Sequence, residues 1–462
     1  MRFHLPLLGF IFVCSACVCD PLAGEREGDE GDEGEGEGEG EEGEGEGEGE
    51  GGEGEGEEGE GEGEGEGEPC QTIDGSLSAS LLNLADLVNV CVVTGDLFIS
   101  NINDSNGLTI ISLPRLVRVG GSFVANNNNT ALTSISLPAL VTADQLFISG
   151  QALTNISLPV LTTVNRQLSF DNNAALPILS LPALDTVSGL SISNNVSLTS
   201  ISLPTIETVG DLLLMSNNAA LSSISMPSLA EVGGSLSMGS NPALTTLSLP
   251  ALATVGDLGL FNAALTRLDL PALAVVDDFI SISNAALLDL SLPALATVGF
   301  ISVSQCNALT SVSMPALATV GGNLVINSNE ALTSVSLALA PATIGREFRI
   351  FSNPQLVSVE LPGLTSVGVS VVINGSPALT TLSLPALADV GALAIFSNLT
   401  LPSISLPALT NVDGSLSVNG NQALTSLSLP SLVTSGGLAV FNNPSLTSCT
   451  GARIVTVGDC VQ

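Results

Sequence analysis

Residues 243–262 read ALTTLSLPALATVGDLGLFN, and residues 378–398 and 423–443 say nearly the same thing, ALTTLSLPALADVGALAIFSN and ALTSLSLPSLVTSGGLAVFNN. In the first copy the apolar positions are Leu244, Leu247, Leu249, Leu252, Val255, Leu258 and Leu260. The pairs Leu247/Leu249 and Leu258/Leu260 are two apart, as in a strand with one buried face, and the steps of three suit bends. Ser and Thr fill the outward places. Pro250 and Gly256 interrupt any helix between them. The unit is an all-β coil: two or three short strands joined by tight corners.

The Leu-Pro or Met-Pro step recurs from Pro114 to Pro430, mostly every 21 to 24 residues. Between Pro315 and Pro362 one more coil fits, with Ala338 in the proline's place. Fifteen copies and a partial one before them predict a β-helix, a solenoid of about sixteen coils. Stacked about 4.8 Å apart, the coils span roughly 75 Å. Each inward Leu or Ile contributes about 1.5–3 kcal/mol on burial, so one coil alone fails where an array holds.

A second row accompanies the first. Asn129, Asn173, Asn195, Asn218, Asn241, Asn262, Asn284, Asn329, Asn353, Asn398, Asn421 and Asn443 each stand three residues before a leading Leu. Asn tolerates left-handed backbone and bonds its neighbours, which predicts a corner residue and, in register, an amide ladder along the solenoid.

Charge divides the chain. Of 462 residues, 46 are acidic, and 25 of these lie between Asp20 and Glu68, where only Arg26 is basic. Residues 20–69 form a Gly-Glu alternation with no apolar surface, read as a disordered acidic tether. Residues 70–462 carry 21 acidic residues and seven arginines; the chain has no Lys, Trp or Tyr, and its one histidine is His4. This composition offers no basic footprint for nucleic acid.

Residues 1–19, MRFHLPLLGFIFVCSACVC, join a positive start to a short apolar run and small residues before Cys17. They resemble a bacterial lipoprotein signal. That resemblance implies lipidation at Cys17 and a membrane anchor; the alternative is ordinary secretory cleavage near Ala16. Either route exports the chain and permits disulfides.

The stretch CVVTGDLFI at Cys91–Ile99 and coils such as SLPALTNVDGSLSVNGNQALTSLSLP resemble the receptor L-domain family, which includes growth-factor receptor lobes and fungal cell-wall proteins. The resemblance covers about 70–460. It implies a right-handed β-helix whose end coils are clamped by the disulfides Cys70–Cys91 and Cys449–Cys460. The competing fold is a leucine-rich repeat, fitted by the opening Leu244-x-x-Leu247-x-Leu249-x-x-Leu252. Leu stands where that repeat expects Asn at the ninth place, which ranks it second.

Catalysis by Ser-His or Cys-His lacks its histidine once the signal is removed, and no cysteine pair has zinc spacing with a histidine partner. No cofactor or metal is assigned. Asp211 and Asp257, in equivalent Val-Gly-Asp steps two coils apart, would sit roughly 9.6 Å from each other, near the upper limit for an inverting carboxylate pair. Solvated turn aspartates are the plainer reading. Along the outward edge of the second strand, Phe351, Phe396 and Phe441 recur at every second coil, alternating with Asn374 and Asn419, with Phe261 at the same place earlier. These are candidate residues for a protein or lipid partner. Cys306 falls at the corner Ser-Gln-Cys-Asn and reads as a small, partly buried residue, a reactive thiol being the lesser option. The expectation is a non-enzymatic cell-surface binding or adhesion protein. A structural envelope component is the alternative, and a carbohydrate-active β-helix enzyme the third reading.

Overall fold

The computed structural model describes residues 69–78, 84–99, 108–126, 131–262, 264–337 and 342–451. The chain divides into two units, Met1–Glu64 and Gly65–Gln462, and the described residues all belong to the second. The expected signal, the lipidation candidate Cys17 and the acidic tether lie outside the described residues.

The second unit is an all-β parallel solenoid of about sixteen turns, as the repeat predicts. Most described turns carry a short strand such as Thr246–Ser248 and a longer one such as Thr254–Phe261, which in some coils is split in two, as at Thr208–Val209 and Leu213–Ser216. The longer strands pair in parallel with their neighbours one coil away: Leu236 lies beside Leu258, and Leu258 beside Ile280. The short strands stack likewise, with Leu290 beside Val312 beside Val335 beside Val359. Identical positions in successive coils thus fall into columns.

Two corners close each turn. At the first, the N–H of the second Leu in Leu-Pro-x-Leu donates to the carbonyl of the first, as Leu252 does to Leu249 at 3.2 Å. Proline's fixed φ suits the second place of such a turn. Both leucines point inward, and Leu249 and Leu252 are wholly buried. At the second corner, the leading Leu donates to the carbonyl of the Asn three residues before it, as Leu244 does to Asn241 at 3.0 Å. The Val-Gly step of the longer strand carries a register shift, for example between Val232 and Ser235 against Thr254–Phe261. Coils approach closely there: a Cβ on Gly345 would collide with the carbonyl oxygen of Gly321 one coil away. One continuous core runs through the array, from Leu87 to Val440.

The asparagine row is a ladder. Asn173, Asn195, Asn218 and Asn241 are fully buried. The backbone N–H of Asn195 donates to Oδ1 of Asn218 at 3.0 Å, and that of Asn218 to Oδ1 of Asn241 at 3.0 Å. Each Nδ2 donates to a carbonyl of the coil before, Asn195 to Phe170 at 2.7 Å and Asn218 to Ile192 at 2.8 Å. Asn129 lies outside the described residues. One expectation is corrected: the ladder asparagine is not the left-handed residue. Positive φ falls on the residue before it, among them Asn172, Asn194, Asn217, Ser240, Ser328, Ser352 and Ser397, with Gly375 and Gly420 in the same place. A residue bent that way turns the chain inward and aims the next side chain into the core. Burial also separates two glycosylation-type sequences: Asn398 of Asn398-Leu-Thr is wholly buried, whereas Asn155 of Asn155-Ile-Ser is exposed.

Candidate functional site

The outward columns are where this fold presents chemistry, because a side chain repeated in register becomes a row on one face. The edge of the longer strands holds Asn327, Phe351, Asn374, Phe396, Asn419 and Phe441 side by side in successive coils. The expected alternation of Phe and Asn is therefore a single column. Phe351 and Phe396 are half-buried, and Phe441 is exposed at 42%. The guanidinium of Arg349 lies 5.5 Å from the centroid of the Phe351 ring, a cation–π distance. Phe261, at the same edge beside Gly239, is exposed at 49%.

The acidic residues come together differently from expectation. Asp211 and Asp257 do not occupy equivalent positions. The amide of Gly234 donates to the carbonyl of Asp211, whereas Asp257 pairs with Ser235. The register shift after Val232 displaces the two aspartates by one place, which a count of residues does not reveal. Asp257 instead faces the following coil: its Oδ1 accepts from the amide of Phe279 at 3.3 Å. Burial pushes its carboxyl above the ordinary range, the Phe279 amide opposes this, and the nearby charge of Asp278 adds to the rise. Elsewhere Arg166 is ion-paired to Asp144, which raises the arginine. Among the described residues no group of three or more His, Cys, Asp or Glu side chains could hold a metal ion.

Cys70 and Cys91 form a disulfide that joins the strands Gln71–Ile73 and Val90–Val93, the first rung of the solenoid. Cys449 is also disulfide-bonded, and Cys460 lies outside the described residues. Cys306 is free and wholly buried, where the sequence suggested a partly buried corner residue. It occupies an asparagine's place in the ladder. Its backbone N–H donates to Oδ1 of Asn329 at 2.9 Å, and its Sγ accepts from the amide of Asn284 at 3.4 Å. Burial pushes the thiol up, with the Asn284 amide opposing.

Sequence reasoning missed the interruptions of the ladder. In most coils the ladder residue stands three positions after the last inward side chain of the longer strand, as Asn195 stands after Ile192. From Ile148 to Gly150, Leu260 to Asn262 and Ile282 to Asn284 the step is only two positions. The residue lost is the one with positive φ. Beside each short corner a buried amide atom goes without a partner: Oδ1 of Asn173, Oδ1 of Asn262 and Nδ2 of Asn284. The signal was present as a one-residue deletion in an otherwise regular repeat.

The model of the BspA type leucine rich repeat region matches the chain in six copies, over residues 117–243 and 342–459. This chain belongs to the BspA-type leucine-rich repeat family. The fold that the sequence ranked second thus supplies the family. No curated protein matches the chain by sequence. Among solved structures, this BspA-type chain is similar to a leucine-rich repeat protein from Bacteroides ovatus, at 14% identity over 73% of this chain and 88% of that one, with a TM-score of 0.38. It is similar to a leucine rich cell surface protein from Faecalibacterium prausnitzii, at 14% identity over 79% and 83% of the two chains, TM-score 0.25. A third is the pneumococcal vaccine antigen PcpA, at 12% identity over 70% and 86%, TM-score 0.21.

Proposed function

We propose that this protein is an exported, surface-displayed binding or adhesion module that works without catalysis, carried on the acidic tether of residues 20–69 and anchored through a lipid at Cys17. The observation that carries the reading is the register of the outward columns. A side chain repeated along one face offers a partner many equivalent contacts, so weak individual contacts sum through multivalency. Membership of the BspA-type family, and likeness to a leucine rich cell surface protein, support a surface location. The resemblance to receptor L domains fits the same use of a solenoid face. Phe351, Phe396 and Phe441 are the proposed contact row for a protein partner, their rings being the largest apolar groups on that column.

Saturable binding of the full mature chain to intact cells, read by flow cytometry, is the expected result. The variant Phe351→Ser/Phe396→Ser/Phe441→Ser should bind at least tenfold more weakly. Equal binding by both proteins would remove the Phe row. A chain that binds no cell surface would favour the second reading, a structural spacer of the envelope, which the near-identity of the coils also fits. Palmitate labelling of the wild type, lost in Cys17→Ser, tests the anchor separately.

A further inference from the structure

We propose that a notch at the short corner Ser283–Ala285 holds one sugar residue of a neutral glycan; this names a ligand for the surface-binding reading above and rests on it. The corner at Ser283–Ala285 lacks the left-handed residue, while the next two coils keep theirs at Gln305 and Ser328, with φ of 55° and 56°. The full corners stand out beside the short one. The step leaves a concavity of about 470 Å³ lined by Ser283, Ala285, Gln305, Asn307, Ser328 and Glu330. That volume falls at the lower end of small-ligand sites, about 300–1,000 Å³.

The lining selects the chemistry. Two hydroxyls and two carboxamides both donate and accept hydrogen bonds, as do the hydroxyls of a sugar. The carboxylate of Glu330 adds an acceptor and repels anions, and no arginine lines the notch to offset it. Uronic and sialic acids, phosphates and sulfates are therefore disfavoured. A nucleobase would find no aromatic ring to stack on. A second observation bears on the same corner. The side chain of Asn284, between Ser283 and Ala285, is wholly buried with its Nδ2 unpartnered. An unpaired buried donor is unfavourable, and a restored corner residue would relieve it by continuing the ladder.

The test uses the full mature chain, fluorescently labelled, on a printed array of neutral, amino and acidic mono- and oligosaccharides, followed by calorimetry with the best neutral oligosaccharide. Wild type is expected to bind neutral glycans. Gln305→Ala/Glu330→Gln should weaken binding at least tenfold, and insertion of Gly between Ser283 and Asn284 should abolish it by filling the corner. Ser405→Ala, on the short-strand face, should bind as wild type does. Asn307→Ala, at an exposed position, provides the same reading should the double variant fold poorly. Unchanged binding in all notch variants, or a preference for acidic saccharides, would overturn the assignment. Absence of any saccharide binding while the chain still binds cells would overturn it and leave the surface-binding reading intact; loss of both would overturn both.

Discussion

The rungs Asn173 to Asn241 and the rungs Asn262 to Cys306 are built from the same repeat, yet they hold together differently. In the first group the amide oxygens of Asn195, Asn218 and Asn241 each receive a backbone N–H of the preceding coil, Asn173 Oδ1 at the end of the run lacks one, and all four amide nitrogens reach a carbonyl, at 2.7–3.1 Å. In the second, Asn262 Oδ1 and Asn284 Nδ2 have no partner, Asn262 turns its Nδ2 to Leu244 in its own coil at 3.2 Å, and a thiol replaces the third amide. The apolar interior is equally complete in both, since Leu244, Leu265, Leu287 and Leu309 are all buried. Burial of leucine therefore sets the fold, while the polar ladder sets how tightly one coil is locked to the next. One residue at the corner decides which state a rung adopts.

The largest expected contrast is between two alanine substitutions. Asn218→Ala leaves the N–H of Asn195 and the carbonyl of Ile192 without their side-chain partner, a loss of about 2–6 kcal/mol at about 1–3 kcal/mol per group. Asn284→Ala removes only a 3.3 Å bond from Ala286, so the loss should be about 1 kcal/mol. Urea unfolding of the two variants measures the difference, and equal losses would erase the distinction between the regions. Next comes repair: Cys306→Asn should offer Oδ1 to the amide of Asn284 in place of sulfur and stabilise by about 1 kcal/mol. A lower unfolding midpoint in that variant would mean that the cavity fits sulfur and not an amide.

A smaller gain is expected from Ser352→Gly. Ser352 holds φ of 57°, whereas the next coil already has Gly375 there at 62°. Left-handed backbone costs an L-residue about 1–2 kcal/mol and glycine's unfolded-state entropy returns about 0.5–1, so the net stabilisation should be about 0.5 kcal/mol. Thermal unfolding reads it directly.

The smallest effect concerns pH. The folded chain holds the Asp257 proton more tightly than the unfolded chain, whose ordinary value is 3.8. Ionised Asp257 therefore destabilises above its raised folded pKa, and the penalty vanishes as pH falls below 3.8. Asp257→Asn keeps the oxygen that accepts from Phe279, so it should raise stability slightly at neutral pH and leave it unchanged in acid. A gain that persists in acid would show that charge is not the cause.

Much of this was legible in the sequence because repetition makes each position report many times. The inward columns at Leu247, Leu249, Leu252, Val255, Leu258 and Leu260, the asparagine ladder and the alternating Phe row all follow from spacing alone, and each appears in the structure. What stayed hidden depends on backbone angles and on register shifts. The positive φ falls on Asn194 and not on Asn195, a distinction that two adjacent asparagines conceal. Asp211 and Asp257 look equivalent until the shift after Val232 moves one of them along. The leucine-rich repeat ranked second because leucine, not asparagine, fills the ninth place of most repeats, while the chain belongs to the BspA-type leucine-rich repeat family. The short corner at Asn284 was visible as a missing residue, but its consequence required the partners of its amide.

Native-state hydrogen exchange across the corner amides tests the central claim most directly. The amides of Asn195 and Asn218, each bonded to the next rung, should exchange only on opening of the whole array, and the amides of Asn262 and Asn284 at least tenfold faster under the same conditions. Equal protection along the four rungs would contradict the account, because it would mean that the asparagine ladder does not lock the coils together.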